Sequence, residues 1–157
     1  MLAAGTAMDK KVALDRVKEF LSIYWNNEQA HDEWSRRLEH DHNLTAKQYG
    51  LLRAIERQAD ITTTDLTVLL GKAQPAITQM LNRLEANGYI TREQSREDKR
   101  RREVKLTPKA AGLLKAIEPV GPTRIALALE HASDKDAREI IGAMKVLHEW
   151  MVTRKLK

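Results

Sequence analysis

Cysteine is absent from this chain of 157 residues. That excludes a disulfide scaffold, a cysteine-type zinc site and a thiol redox sensor. Glycine and proline are scarce, at seven and four residues, and no repeat or low-complexity linker breaks up the chain. No apolar run approaches the roughly 18 residues of a membrane helix. The opening MLAAGTAMDKK lacks the apolar core of a signal peptide. The sequence therefore predicts a cytoplasmic protein with no membrane partner. Also missing are a glycine-rich phosphate loop, a nucleophile motif and HExxH. Every Asp/Glu pair falls on a helix face or turn where a solvated role suffices, so the expectation is a protein that is not an enzyme and has no cofactor.

What remains is globular. Apolar residues make up 42 % and charged residues 31 % of the chain, enough for one domain with a sizeable core. The net charge of +5 is local. Residues 1–60 carry nine basic and ten acidic groups, and residues 61–90 two of each. Residues 91–109 carry eight and four, and residues 110–157 eight and six. The excess thus concentrates in TREQSREDKRRREVKLT, Thr91 to Thr107. A basic patch on a near-neutral body points to a polyanion. A solvated charged turn is the bland alternative.

Periodicity predicts mostly helix. Val17, Phe20, Leu21, Tyr24 and Trp25, continued by Trp34 and Leu38, mark a helix over 9–39. HDHNLT breaks it. Thr45 caps a second helix that reaches about Gln58, with Tyr49, Leu52 and Ile55 inward. ADITTTD is a short break with candidate caps at Thr62 and Thr63, and Ile61 is a candidate for a short strand. A third helix stops at Gly71. Pro75 opens a fourth, to about Asn87, which buries Ile77, Leu81 and Leu84. Asn87-Gly88 is a turn, and YITREQ and REVKL alternate like two half-buried strands around the basic cluster. Thr107 and Pro108 start another helix, which Pro119, Gly121 and Pro122 interrupt. Ser133 with Asp136 resembles a capping box. The last helix runs to about Lys155 with Ile140, Ile141, Met144, Leu147 and Met151 on one stripe.

Short helix, glycine turn, second helix, hairpin is the order of a winged helix-turn-helix. The fold class expected is mainly α (α+β). The second helix of such a pair can enter the major groove, about 12 Å wide. With Ile77, Leu81 and Leu84 buried, its outward residues are Gln74, Pro75, Ala76, Thr78, Gln79, Asn82 and Arg83. Amides can pair with adenine and Thr can offer a methyl to thymine, so this helix would supply selectivity. Affinity would come from the wing, where Arg96, Lys99, Arg100, Arg101 and Arg102 can meet phosphate or a narrow minor groove.

Residues 44–115 resemble the MarR family of bacterial transcription regulators. The likeness rests on LTAKQYGLL at Leu44, GKAQPAITQMLNRLEANGYITR at Gly71 and DKRRREVKLTPKA at Asp98. The last is the most specific: Asp-x-Arg, here Asp98-Lys99-Arg100, then Val104-Lys105-Leu106-Thr107. The resemblance implies one MarR-like domain over 1–157, with dimerisation helices at 8–40 and 108–157 and a DNA-binding lobe at 44–107. It implies a homodimer that reads a pseudo-palindrome in double-stranded DNA, with Asp98 fixing Arg100 in the wing. It also implies a repressor released by a small aromatic or phenolic effector. A protein–protein module, or a zinc-responsive regulator of the same fold, are the alternatives. Three departures stand out. Ala73 replaces a frequent Ser, Ala110 replaces the usual Gly, and the Pro119–Pro122 break is unusual.

His31, His40 and His42 lie near Asp32, Glu39 and Asp41, but their spacing fits no compact metal motif, and HDH is expected to splay in an irregular turn. His131 and His148 are scattered. Trp25, Trp34 and Trp150 fall on the flanking helices, as dimer-interface core or as lining of an effector pocket.

Overall fold

The computed structural model of the chain describes residues 9–58, 60–95 and 102–153. The first helix, α1 (Lys10–His42), has no internal Gly or Pro, and Asp9 caps it by accepting from the Lys11 backbone N–H at 2.8 Å. It runs past the expected break. His40, Asp41 and His42 complete its last turn, and Asn43 ends it in the left-handed conformation at φ 52°. Asn is one of the few residues with a side chain that visit this region readily.

Two reciprocal caps set the next helices. Thr45 accepts from Gln48 N–H while the Gln48 side chain accepts from Thr45 N–H, and this pair starts α2 (Ala46–Arg57). Thr62 and Asp65 do the same for α3 (Thr63–Leu70). Each box satisfies two amides that a helix start leaves unpaired. Gly71, at φ 57°, closes α3 and turns the chain into α4 (Gln74–Ala86).

Strand β1 (Ile90–Gln94) pairs antiparallel with β2 (Arg102–Leu106), with Ile90 opposite Leu106 and Glu93 opposite Glu103. The short strand expected at Ile61 shrinks to one bridge between Thr62 and Glu103, with Val104 N–H donating to the Ile61 carbonyl at 2.9 Å. Thr107 then caps α5 (Pro108–Ala116).

The chain divides into two compact units, 1–121 and 122–157. The first holds the core: Trp34, Leu38, Tyr49, Leu52, Ile61, Leu66, Ile77, Leu81, Leu84, Tyr89, Val104 and Leu114 are all buried. Helix α5 contributes Ala110, Leu113 and Leu114 to that core, so it packs as part of the lobe. Arg53 secures its end. The guanidinium donates to the Leu114 and Ile117 carbonyls, and the Tyr49 hydroxyl donates to Ile117 at 2.6 Å. These are carbonyls a helix end would otherwise leave unpaired.

The second unit is α6 (Pro122–Leu129), a turn, and α7 (Asp134–His148). Ser133 caps α7 through the Asp136 N–H at 3.1 Å and donates its hydroxyl to the Asp136 carboxylate. The α-helical pattern stops at His148 and widens into a π-helical turn over Glu149–Thr153, short of the expected Lys155. Among the described residues no helix is long and apolar enough to cross a membrane.

Candidate nucleic-acid interface

Helix α4 is the exposed element of the lobe with a sharply divided surface. Ile77, Leu81 and Leu84 are fully buried and anchor it at the spacing of one helical face. Gln74, Pro75, Ala76, Gln79, Asn82 and Arg83 are exposed, and Thr78 is half-buried. All seven sequence candidates therefore lie off the anchoring face. The start of α4 lacks a side-chain cap at Ala73. The Ala73 carbonyl accepts from Ala76 and Ile77 N–H, at 3.0 and 3.3 Å. Pro75 has no N–H to satisfy, so the missing side-chain cap bears on the Gln74 amide, and a helix N-terminus favours a negatively charged acceptor.

The hairpin is held at its base. Tyr89 donates its hydroxyl to the His42 carbonyl at 2.8 Å, and the Lys109 ammonium sits 4.3 Å from the Tyr89 ring centre while donating to Asn87 O. Thr107 Oγ1 donates to the Gly88 carbonyl at 2.8 Å. Of the wing candidates, Arg102 is exposed at the start of β2. Arg96, Asp98, Lys99, Arg100 and Arg101 lie outside the described residues.

Charge on the hairpin is paired toward the loop end of its strands. Glu93 and Glu103 are directly opposite, a like-charge arrangement that costs stability in a sheet. Lys105 offsets it, with Nζ 3.0 Å from Glu93 and 3.6 Å from Glu103. A hydrogen bond from Ser95, then Lys105, hold the Glu103 carboxyl below the usual carboxylate range against the opposing effect of burial. The bond to Glu93 raises the Lys105 ammonium above its ordinary value.

Two residues that the sequence pattern alone did not single out shape the interface. Arg92, in the middle of β1, turns back onto α4. Its Nε and Nη2 donate to Glu85 Oε2 at 3.0 and 2.6 Å, and Nη2 also donates to Asn82 Oδ1. The signal was available. Strand alternation puts Ile90 and Arg92 on one side, and a half-buried arginine calls for a carboxylate within reach, which α4 supplies at Glu85.

The tryptophans separate. Trp34 is only 6 % exposed and meets the Tyr49 ring edge-on at 5.2 Å. Its own chain therefore covers most of the ring. It does line a cleft of about 270 Å³, together with Arg37, Asp41, His42 and Glu118, at the ends of α1 and α5. Trp25 and Trp150 are 59 % and 49 % exposed.

The histidines have local roles. His31 packs so closely on Gly121 that a Cβ there would stand 2.7 Å from its ring, and Gly121 has φ +68°. His40 Nδ1 lies 2.7 Å from the Asp41 carboxylate, which this contact holds below its ordinary range. No group of three or more metal-ligating side chains comes together among the described residues.

A model of the MarR family matches residues 42–101. The transcriptional regulator HosA of Escherichia coli O157:H7 is 35 % identical over 79 residues, which is 50 % of this chain and 58 % of that protein. The chain thus spans just over half the length of the curated relatives it matches. Among solved structures, a mutant E. coli MarR complexed with operator DNA has a TM-score of 0.57 at 22 % identity, covering 89 % of this chain and 99 % of that one. Streptococcus pneumoniae FabT in complex with DNA has a TM-score of 0.59 at 21 % identity, covering 88 % and 96 %. These two share the fold of the chain.

Proposed function

Since this chain belongs to the MarR family, we propose that it is a transcription regulator that binds double-stranded DNA. The observation that carries this reading is helix α4: anchored by Ile77, Leu81 and Leu84, with Gln74, Gln79 and Asn82 exposed. Such a surface has the width and chemistry for a major groove. Two solved relatives of the same fold are described in complex with DNA. The wing from Arg96 to Arg102 supplies the phosphate-binding charge, with Arg100 inserting into the minor groove.

The active species is a homodimer that reads a pseudo-palindrome. Helix α1 supports this with an apolar stripe that its own lobe leaves exposed: Val17, Phe20, Leu21, Tyr24 and Trp25. In the second unit Ile141, Met144, Trp150 and Met151 are exposed as well. Contiguous apolar surface of this kind marks an interaction site. A small aromatic or phenolic effector releases the repressor from DNA, and the Trp34 cleft is one place for it. Such an effector acts through unequal affinity for two dimer shapes, one of which sets the two α4 helices about one DNA turn (~34 Å) apart.

The test is a salt titration of duplex binding. If Z phosphates are neutralised, log affinity falls against log salt with slope near −0.9Z. A protein that retains no duplex at about 50 mM salt, where such contacts are strong, does not have this function.

A further inference from the structure

Two hydrogen bonds join the end of α4 to the end of α1. Asn87, the C-cap of α4, donates its side-chain amide to the Asn43 carbonyl at 3.2 Å. Tyr89, two residues on, donates its hydroxyl to the His42 carbonyl at 2.8 Å. His42 closes α1 and Asn43 is its C-cap. The Tyr89 ring is only 1 % exposed, so its hydroxyl cannot swing away. Trp34 and Leu38 also bury this end of α1 in the core. Apolar packing has no preferred direction, whereas a hydrogen bond weakens steeply as it bends. The two bonds therefore fix the angle between α1 and α4 more closely than packing does.

That angle has leverage. Helix α1 runs 33 residues without Gly or Pro, two common causes of a kink. Its exposed apolar stripe ends at Trp25. About 25 Å of helix, at 1.5 Å per residue, then separates the stripe from the tie at His42. A slack of about 8° over such a lever moves its far end by about 3.5 Å, close to the ~3.4 Å rise of one base pair. We infer that Tyr89 and Asn87 are positioning residues that set the half-site spacing the dimer accepts. They hold α4 at one angle to the α1 stripe through which two copies join. The spacing of two half-sites mirrors the spacing of the two recognition helices, so slack at this tie becomes tolerance in the operator.

This inference rests on the reading of the chain as a dimeric DNA-binding regulator, and the two fail differently. The half-site is first taken from duplexes that the wild type selects from a random pool. Duplexes are then built with two half-sites at the selected spacing and at one or two base pairs more or less. Their affinities are compared for the wild type and for the double variant Tyr89→Phe with Asn87→Ala. Phe keeps the buried ring, and Ala suits the φ −83° and ψ 0° of Asn87. The wild type should favour one spacing sharply. The double variant should narrow the gap between neighbouring spacings roughly tenfold, about what two hydrogen bonds contribute, with affinity for an isolated half-site unchanged. A merely structural role would lower thermal stability and every affinity together and leave the gap intact. A double variant as strict as the wild type overturns the inference, and so does a wild type indifferent to spacing. If the wild type selects no motif, or only single half-sites, the DNA or dimer reading fails and the inference falls with it. Should circular dichroism show the double variant unfolded, Tyr89→Phe alone is used, with a narrowing of roughly threefold expected from one bond.

Discussion

Ala73 stands where a helix start calls for a side-chain acceptor. Its backbone is already in the extended conformation of a cap, at φ −60° and ψ 138°, yet no side-chain bond is made. Ala73→Ser should therefore raise unfolding free energy by about 1 kcal/mol, measured by urea denaturation. No gain would mean that the Ala76 amide, already bonded to the Ala73 carbonyl, needs no further acceptor. At Arg100 the effect falls on binding. Arg100→Ala should weaken duplex affinity by roughly 1–3 kcal/mol with folding intact, and unchanged affinity would remove it from the site. At this scale the sequence was readable where burial follows spacing. Ile77, Leu81 and Leu84 were placed by period alone. Asn82 was not fully readable, because its pairing depends on Arg92 ten residues later, brought back by the hairpin.

The hairpin shows how an element balances opposed charges. Glu93 and Glu103 face each other and Lys105 bridges them. Glu103 is held below its unfolded value, so its contribution to stability is present above that value and is lost as pH falls through the folded one. Lys105 is raised, so its contribution is present at neutral pH and is lost in strong alkali. Glu103→Gln should flatten the decline in unfolding free energy on the acid side of about pH 4.3, the ordinary glutamate value. An unaltered acid limb would show that Glu103 is not tied to the wing's stability. Strand positions and turn were legible from alternation and Asn-Gly. The Lys105 bridge was not, because register across the strands decides which carboxylates meet. The end of α1 departs from the expected break for a local reason: His40-Asp41-His42 continues the helix, and the left-handed residue Asn43 stops it. The π-helical turn after His148 has no period in the sequence that distinguishes it from an α-helix.

For the whole molecule, the unused apolar surface is the leading fact. Phe20 and Tyr24 stack at 6.0 Å, Trp25 meets Tyr24 edge-on at 5.3 Å, and all three remain exposed. The α1 stripe was legible as helical periodicity, but periodicity cannot say whether a stripe faces its own core or another chain. Trp34 and Leu38 face the core, and the residues before them do not. Phe20→Asp combined with Leu21→Asp should convert a dimer in sedimentation to a monomer and weaken duplex binding, while leaving the lobe's thermal transition in place. A wild type that sediments as a monomer at micromolar concentration would refute the dimer.

The central claim is that α4 and the wing read DNA as a symmetric pair. Selection of bound duplexes from a random pool tests it most directly, at about 50 mM salt, where phosphate contacts are strong. The account predicts two inverted half-sites whose centres lie about one helical turn apart, roughly 10 base pairs. Recovery of no duplex, or of sequences with no shared motif, would contradict it.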